Sequence, residues 1–201
     1  MSITYETGDI FTSRANVIVH QCNCFNKMGG GIAKVIAQKY PQAQVADQNT
    51  QCGSRTKFGS YSWAATTDGK VIINLYSQFK YGKMDRFTDY EAMYKGLKAT
   101  EEFLKNELTK SIAISRDDSD EEDDDDLYNE LLQNFQTPIV LGIPYLMGCG
   151  LAGGDWNIVE AIIKSVFGKS TIDVVIVKLP TVATQGNSQS SLGTPGDELV
   201  I

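Results

Sequence analysis

The sequence contains one histidine and four cysteines in 201 residues, and this scarcity limits the metal chemistry open to it. His20, Cys22 and Cys24 alternate along one short stretch, whereas Cys52 and Cys149 are isolated from them. Zinc sites need three or four His, Cys or carboxylate ligands at characteristic spacings, and no such spacing is present. We therefore expect no metal site and reduced thiols.

Long apolar runs are also missing. No run approaches the roughly 20 residues that a membrane-spanning helix needs. Residues 1–10 carry polar and charged side chains where a signal peptide would have an apolar core. We expect a monomeric cytoplasmic protein without membrane contacts; in a eukaryotic host the nucleus is an alternative location.

A surplus of basic residues is absent as well. The net charge is −7, but nine of the 25 acidic residues lie within residues 117–126, which leaves 16 acidic against 18 basic residues elsewhere. This nearly neutral remainder argues against a surface for duplex nucleic acid. The acidic run repels itself and predicts a mobile insertion at about residues 116–126. Calcium or magnesium binding is the alternative, although the run lacks the glycine and spaced ligands of a calcium loop.

Two familiar nucleotide-binding motifs are missing. No Gly-x-Gly-x-x-Gly segment opens a helix after the first predicted strand. The segment Gly168-Lys169-Ser170 has Ile163 where a phosphate-binding loop of the NTPase type requires glycine, and it follows a predicted helix instead of a strand.

Glycine is concentrated at two turns, each between a predicted apolar strand and a predicted helix. The first glycine turn, residues 29–31, follows a strand at 17–19; the second glycine turn, residues 148–154, follows a strand at 139–143. Without a Cβ atom, such turns let an anion approach the backbone N–H groups at the positive end of a helix. The pair predicts a ligand with more than one phosphate held between the turns. The alternative is that both are only tight turns.

Predicted strands and helices alternate along residues 1–180. The dipeptide Asp68-Gly69 separates two apolar stretches and predicts an antiparallel hairpin. The pattern indicates an α/β protein with a mixed sheet, covered by helices on both faces, and ligands bind such sheets beyond the carboxyl ends of the strands. Residues 181–201, rich in Ser, Gly, Thr and Gln, predict a flexible tail.

Two side chains near the turns are candidates for proton transfer. His20, where the strand enters the first turn, has a side chain able to donate a proton near neutral pH. Asp155 is a candidate to orient or deprotonate water. Each has a structural alternative, because a lone histidine is often a core residue and an Asp before Trp156 is a natural helix N-cap.

Other polar side chains are candidates for ligand contacts. Asp9 either accepts a hydrogen bond from the exocyclic amine of a base or caps a turn. Asn23 is placed to hold a ribose hydroxyl, and Gln78 and Tyr81 are placed to close the pocket.

Three segments taken together resemble the macrodomain family: Gly8-Asp9-Ile10, His20-x-Cys-Asn23 with Gly29-Gly-Gly-Ile-Ala33, and Ile143-Pro with Gly148-Cys-Gly-Leu-Ala-Gly-Gly-Asp-Trp156. The resemblance extends over about residues 3–180. The second turn is most similar to the branch that contains ADP-ribose-1''-phosphate phosphatases and terminal ADP-ribose protein glycohydrolases. The resemblance implies a three-layer α/β/α fold with a mixed central sheet that binds ADP-ribose and needs no cofactor. The resemblance implies that Asp9 binds the adenine amine, Gly29–Ile32 and Gly148–Leu151 the diphosphate and distal ribose, and Asn23 a ribose hydroxyl. With the candidates named above, the predicted ligand-binding residues are Gly8, Asp9, Ile10, Gly29, Gly30, Gly31, Ile32, Gln78, Met147, Gly148, Cys149, Gly150 and Leu151, and the predicted catalytic residues are Asp155, His20 and Asn23.

The sequence departs from the family pattern at the residues that carry chemistry. Family members that hydrolyse ADP-ribosyl esters commonly have Asn-Ala-Ala-Asn where this chain has His20-Gln-Cys-Asn23. In the glycohydrolase branch a catalytic lysine falls near Gln78 and a catalytic aspartate falls at Ala152, so a lysine-adduct mechanism is not supported. We therefore expect hydrolysis of ADP-ribose-1''-phosphate to ADP-ribose and phosphate. The alternatives are removal of ADP-ribose from modified protein or nucleic acid, and binding of ADP-ribose without catalysis.

Overall fold

The computed structural model describes residues 3–82, 85–114 and 138–180. The predicted acidic insertion at 116–126 and the predicted tail at 181–201 lie outside these residues. No helix within the described ranges is long and apolar enough to cross a membrane.

Six strands and four helices make up the described part of the chain. The strands pair in the order β1-β6-β5-β2-β4-β3; every pair is parallel except β3 and β4, which are antiparallel. The mixed sheet predicted from the sequence is therefore confirmed. The elements are β1 (Ile3–Thr7), β2 (Val17–Asn23), α1 (Gly31–Lys39), α2 (Pro41–Gln48), β3 (Tyr61–Ala65), β4 (Val71–Gln78), α3 (Tyr90–Ile114), β5 (Val140–Pro144), α4 (Trp156–Phe167) and β6 (Asp173–Lys178).

The sheet separates two apolar cores, and alternation along β2 divides its side chains between them. Val17 and Val19 pack in the core beneath α3 and α4, whereas Ile18 and Cys22 pack in the core beneath α1 and α2. Side chains two residues apart lie on the same face of a strand. His20 therefore faces α1 and α2. This arrangement gives the three layers that the sequence predicts.

The hairpin between β3 and β4 closes at Gly69, where φ is 78°, as the Asp68-Gly69 dipeptide predicts. It lies at the opposite edge of the sheet from the glycine turns, because β4 begins there and runs parallel to β2. The carboxyl ends of β1, β2, β4, β5 and β6 lead into the loops at the other edge, where ligands bind in sheets of this kind.

Candidate functional site

The two glycine turns lie against one another at the carboxyl edge of the sheet. A Cβ atom added to Gly30 would lie 2.9 Å from Cδ1 of Leu151. The Leu151 side chain is 56% exposed, so it covers the first turn from the solvent side. The prediction that the turns meet is confirmed, and a side chain at residue 30 would displace the end of the Leu151 side chain.

Open space faces most of the remaining glycines at this edge. A Cβ atom added to Gly8, Gly29, Gly31 or Gly150 would have no heavy atom within 4 Å. Gly31 has φ of 54°, in the left-handed region that favours glycine. At these residues the backbone itself is accessible from the open space.

The two helices that begin at this edge differ at their N-termini. Helix α1 begins after Gly30 with no side-chain cap and no acidic residue in its first turn. Helix α4 is capped by Asp155, whose Oδ1 accepts from the Asn157 N–H at 2.8 Å. The first-turn N–H groups of α1 are thus available to an anion, and those of α4 are partly satisfied.

Internal hydrogen bonds fold the second glycine turn into a compact loop. The Gly154 N–H donates to the Gly148 carbonyl oxygen at 2.9 Å, and the Gly153 N–H donates to the Gly150 oxygen at 3.0 Å. Gly148 and Gly153 both have positive φ, 75° and 66°. Within the described part of the chain, the N–H groups of Gly150 and Leu151 have no hydrogen-bond acceptor. Leu151 lies against the first turn through its side chain, so these two N–H groups belong to the loop beside that turn.

A polar network that sequence reasoning missed holds the second turn against the sheet. Thr88 is 2% exposed, and its hydroxyl donates to the Gly148 oxygen at 2.6 Å. Gln21 of β2 donates from Nε2 to Ser77 Oγ at 3.0 Å and to Thr88 Oγ1 at 3.1 Å. The carbonyl oxygen of Ala152 accepts from the N–H groups of residues 87 and 88. Residues separated by some 60 positions thus meet, and no local pattern in the sequence predicts that contact.

Asp9 occupies the loop after β1 and is exposed. Its Oδ1 accepts from the Phe11 N–H at 2.9 Å, which is the turn-capping alternative, and this bond leaves Oδ2 for a ligand. The side chain of Ile10 is 5% exposed and packs in the core beneath α1, so only its backbone can contact a ligand. Met147 is 3% exposed and packs in the other core, so it too can contact a ligand only through its backbone.

Gln78 ends β4 and Tyr81 follows it on the rim of the site. Gln78 donates from Nε2 to the Lys80 oxygen at 2.9 Å. The Tyr81 ring is 55% exposed and its centroid lies 6.5 Å from that of Phe25, beside the first turn. These contacts place Tyr81 on the same rim as the first turn.

Comparisons with known proteins agree with this geometry. No family model matches the sequence. An uncharacterized 17.5 kDa protein of Enterobacteria phage T4 is 29% identical over 184 residues, which cover 88% of this chain and 96% of that protein. The ADP-ribose 1''-phosphate phosphatase of Saccharomyces cerevisiae is 44% identical over 45 residues, which cover 21% of this chain and 25% of the phosphatase.

Solved structures identify the fold. The macrodomain of Mycobacterium tuberculosis DarG superposes with a TM-score of 0.60 at 19% identity, covering 90% of this chain and 99% of that one. The chain has the macrodomain fold. Thermosipho africanus DarTG, solved in complex with ADP-ribose, superposes with a TM-score of 0.55 at 18% identity, covering 90% of this chain and 42% of that one.

In this macrodomain fold His20 lies inside the protein. Its side chain is fully buried, and Nε2 is 2.8 Å from Asn74 Oδ1. Because the Asn74 amide nitrogen donates to the Ala43 oxygen and Ser62 Oγ, Oδ1 is an acceptor and Nε2 carries the proton. Burial lowers the pKa of His20 to about 4, although the Asn74 hydrogen bond and the Asp47 charge oppose this effect. The structure does not bring His20 to the ligand edge, and its geometry is that of the core alternative.

Asn23 closes the loop that precedes the first turn. Its Oδ1 accepts from the N–H groups of Phe25 at 2.9 Å and Lys27 at 3.3 Å, and its Nδ2 donates to the Lys27 oxygen at 2.6 Å. The side chain is 6% exposed. Its polar atoms therefore hold the loop, and a contact between Asn23 and a ribose hydroxyl stays a prediction.

Three of the four cysteines, Cys22, Cys24 and Cys149, are poor nucleophiles at neutral pH. Burial raises the pKa of Cys22 well above its usual range, although its Sγ lies 3.6 Å from both ring nitrogens of His20. Burial also raises the pKa values of Cys24 and Cys149 to about 11. No group of three or more His, Cys, Asp or Glu side chains suited to a metal ion occurs among the residues that the structure describes.

Proposed function

We propose that this protein binds ADP-ribose, with the pyrophosphate held between the two glycine turns. The contact between Gly30 and Leu151 carries this proposal, because it brings two sets of unpaired backbone N–H groups to one place. The macrodomain fold supports it, and so does the similar structure of Thermosipho africanus DarTG, which was solved in complex with ADP-ribose. Asp9, with one carboxylate oxygen free of its turn, would accept from the adenine amine.

Gly31→Ala tests the proposed pyrophosphate site at the first glycine turn, with Gly69→Ala as the matched control. Both glycines have positive φ, 54° and 78°, so both alanines introduce backbone strain of about 1–2 kcal/mol. Only the Cβ atom at residue 31 would enter the space assigned to the ligand. We expect both variants to melt at a lower temperature, and only Gly31→Ala to weaken ADP-ribose binding, by about tenfold or more in calorimetry. Equal binding by the two variants would contradict the proposed position of the pyrophosphate.

The proposed activity is removal of the terminal phosphate from ADP-ribose-1''-phosphate. The short match to the Saccharomyces cerevisiae phosphatase supports this substrate. The backbone N–H groups of the turns would stabilise charge on the phosphoryl group, and the free Oδ2 of Asp155 would orient water. His20 has no part in this scheme, since its imidazole is fully buried.

Asp155→Asn separates the chemical role of this residue from its structural role. Asparagine caps a helix as well as aspartate does, so the variant keeps the bond to the Asn157 N–H and the stability of α4. Asparagine cannot accept a proton from water. We expect phosphate release to fall about 100-fold or more, with ADP-ribose affinity and melting temperature nearly unchanged. Full turnover by Asp155→Asn would remove Asp155 from the mechanism.

Binding without hydrolysis is the second candidate. It is favoured by the structural tasks of both proposed catalytic side chains: His20 is bonded to Asn74 inside the core, and Asp155 caps α4. A protein with this role would bind ADP-ribose and release no phosphate from ADP-ribose-1''-phosphate. It would also release no ADP-ribose from modified protein or nucleic acid, whereas such release would instead show a de-ADP-ribosylase.

A further inference from the structure

A buried polar cluster is bonded to the loop that leads into the first glycine turn, and the proposed chemistry does not use it. The side chain of Lys57 is 4% exposed and that of Asp47 is 1% exposed. Lys57 Nζ donates to Asp47 Oδ1 at 2.9 Å and to Asn26 Oδ1 at 2.8 Å, and lies 4.0 Å from the centre of the Tyr76 ring. A buried ammonium group is costly unless it is surrounded by such partners. These partners hold Lys57 in one place.

Asn26 connects this cluster to the ligand edge. Its φ of 56° is in the left-handed region, which asparagine adopts more readily than most residues. Its Nδ2 donates to the backbone oxygen of Asp47 at 2.7 Å, in the last turn of α2, and to the backbone oxygen of Thr50 at 3.1 Å, just after that helix. Its Oδ1 accepts from Lys57. Asn26 precedes Gly29 by three residues, so the end of α2 fixes the backbone that leads into the turn.

The glycines of the first turn have no side chains with which to fix themselves. Gly29 and Gly31 face open space. Glycine loses more conformational freedom on ordering than any other residue, and a loop that is ordered only by its ligand binds more weakly. A buried ion pair is weak evidence for stability, because apolar side chains of similar size often replace it without loss. The polar cluster therefore matters less for stability than for holding the loop before Gly29 in one conformation.

We propose that Asn26 and the Lys57–Asp47 pair are positioning residues, which hold the loop at residues 24–31 in its ligand-binding conformation before the ligand arrives. The inference rests on the proposed function, in which the first turn binds the pyrophosphate of ADP-ribose. We assign these three residues no contact with the ligand. Lys57 and Asp47 are buried, and the Asn26 amide is bonded to Lys57 and to the backbone oxygens of Asp47 and Thr50.

Two substitutions remove the cluster in different ways. Asn26→Gly tolerates the positive φ and removes the side-chain hydrogen bonds, and it also adds backbone freedom at residue 26. Asp47→Asn combined with Lys57→Met removes both charges and leaves no charge unpaired. This double variant leaves the loop backbone unchanged, so an effect shared by both variants reports the loss of the cluster. The matched control is Glu101→Gln in α3, because Glu101 is also 2% exposed and is paired with Lys98 and Lys105 on the other side of the sheet.

The measurements are calorimetry with ADP-ribose and amide hydrogen exchange of the segment at residues 25–34 in the ligand-free protein. Exchange is read at Phe25, Lys27 and Lys34, whose N–H groups are hydrogen-bonded to Asn23 Oδ1, to Asn23 Oδ1 and to the Gly30 oxygen. In Asn26→Gly and in the double variant we expect exchange in this segment to rise about tenfold and the Kd for ADP-ribose to rise about tenfold. In Glu101→Gln we expect a lower melting temperature with neither change. If Asn26→Gly fails to fold, Asn26→Asp, which keeps the acceptor for Lys57 and loses the amide donor, is expected to behave in the same way.

Exchange at Phe25, Lys27 and Lys34 that stays within twofold of wild type in these variants would overturn the inference. A rise in exchange that is equal across the whole protein, or equal in Glu101→Gln, would also overturn it, because it would report global stability. Failure of the wild-type protein to bind ADP-ribose would refute the proposed function instead. The exchange comparison in the ligand-free protein would still decide whether the cluster positions the loop.

Discussion

Single side chains hold each half of the site in place. Thr88 bonds the Gly148 oxygen, and Asn23 bonds the backbone of residues 25 and 27. Asn23 belongs to the segment His20-x-Cys-Asn23, whereas no motif in the sequence indicates the contact of Thr88 with the second turn. In both cases a polar side chain satisfies backbone groups of a loop that has no regular structure, as buried polar groups must be satisfied.

The Thr88 hydroxyl is expected to matter for affinity. Thr88→Val keeps the shape of the side chain and removes the donor, whereas Thr88→Ser keeps the donor and removes a methyl group. Loss of the bond to the Gly148 oxygen would let the second turn move, so we expect Thr88→Val to weaken ADP-ribose binding about three- to tenfold. Thr88→Ser should stay within twofold of wild type in the same calorimetric titration. A stronger effect of the serine variant would show that packing by the methyl group matters more than the hydroxyl.

Helix α3 illustrates how an element is fixed by charges away from the site. It begins after Asp89, whose Oδ1 accepts from the Ala92 N–H at 2.8 Å and so caps the first turn of the helix. Farther along, Glu101 bonds to Lys98 and Lys105. Burial alone would raise the pKa of Glu101, but the hydrogen bonds from the two lysines outweigh it and lower the pKa to about 2.

Glu101 should therefore make the stability of the protein depend on pH. A carboxyl group whose pKa is lower in the folded state stabilises the fold above its unfolded pKa of about 4.3 and loses this contribution as the pH falls towards 2. We expect the difference in unfolding free energy between wild type and Glu101→Gln to be largest at pH 7 and to shrink between pH 5 and pH 2. Urea denaturation at several pH values measures it. A difference that is constant over this range would contradict the lowered pKa.

At the scale of the whole molecule, the site forms because parallel strands end at one edge. β2 and β5 are adjacent, so the loops that follow them must meet, and the two glycine turns lie in those loops. The outer hairpin, by contrast, contributes nothing to this edge except the end of β4. The three-layer arrangement then covers the sheet with helices and leaves the ends of its strands open.

The sequence alone determined the elements and the chemistry of the turns. Strand, turn and helix follow one another in a local pattern, and glycine at residues 29–31 and 148–154 is needed wherever backbone N–H groups must be approached. Because these features depend on neighbours in the chain, the mixed sheet, the hairpin at Gly69 and the meeting of the two turns were predictable.

Only the tertiary structure decided what each polar side chain faces. His20 lies on the face of β2 that is shared with Ile18, beneath α1 and α2, and this removes it from the ligand edge. Asn26 and Lys57 are 31 residues apart in sequence and form one hydrogen bond. Such contacts depend on how the helices pack over the sheet. Secondary-structure propensity is set by adjacent residues, whereas the burial and the hydrogen-bond partners of a side chain are set by elements distant in sequence. For this reason the sequence alone could not predict them.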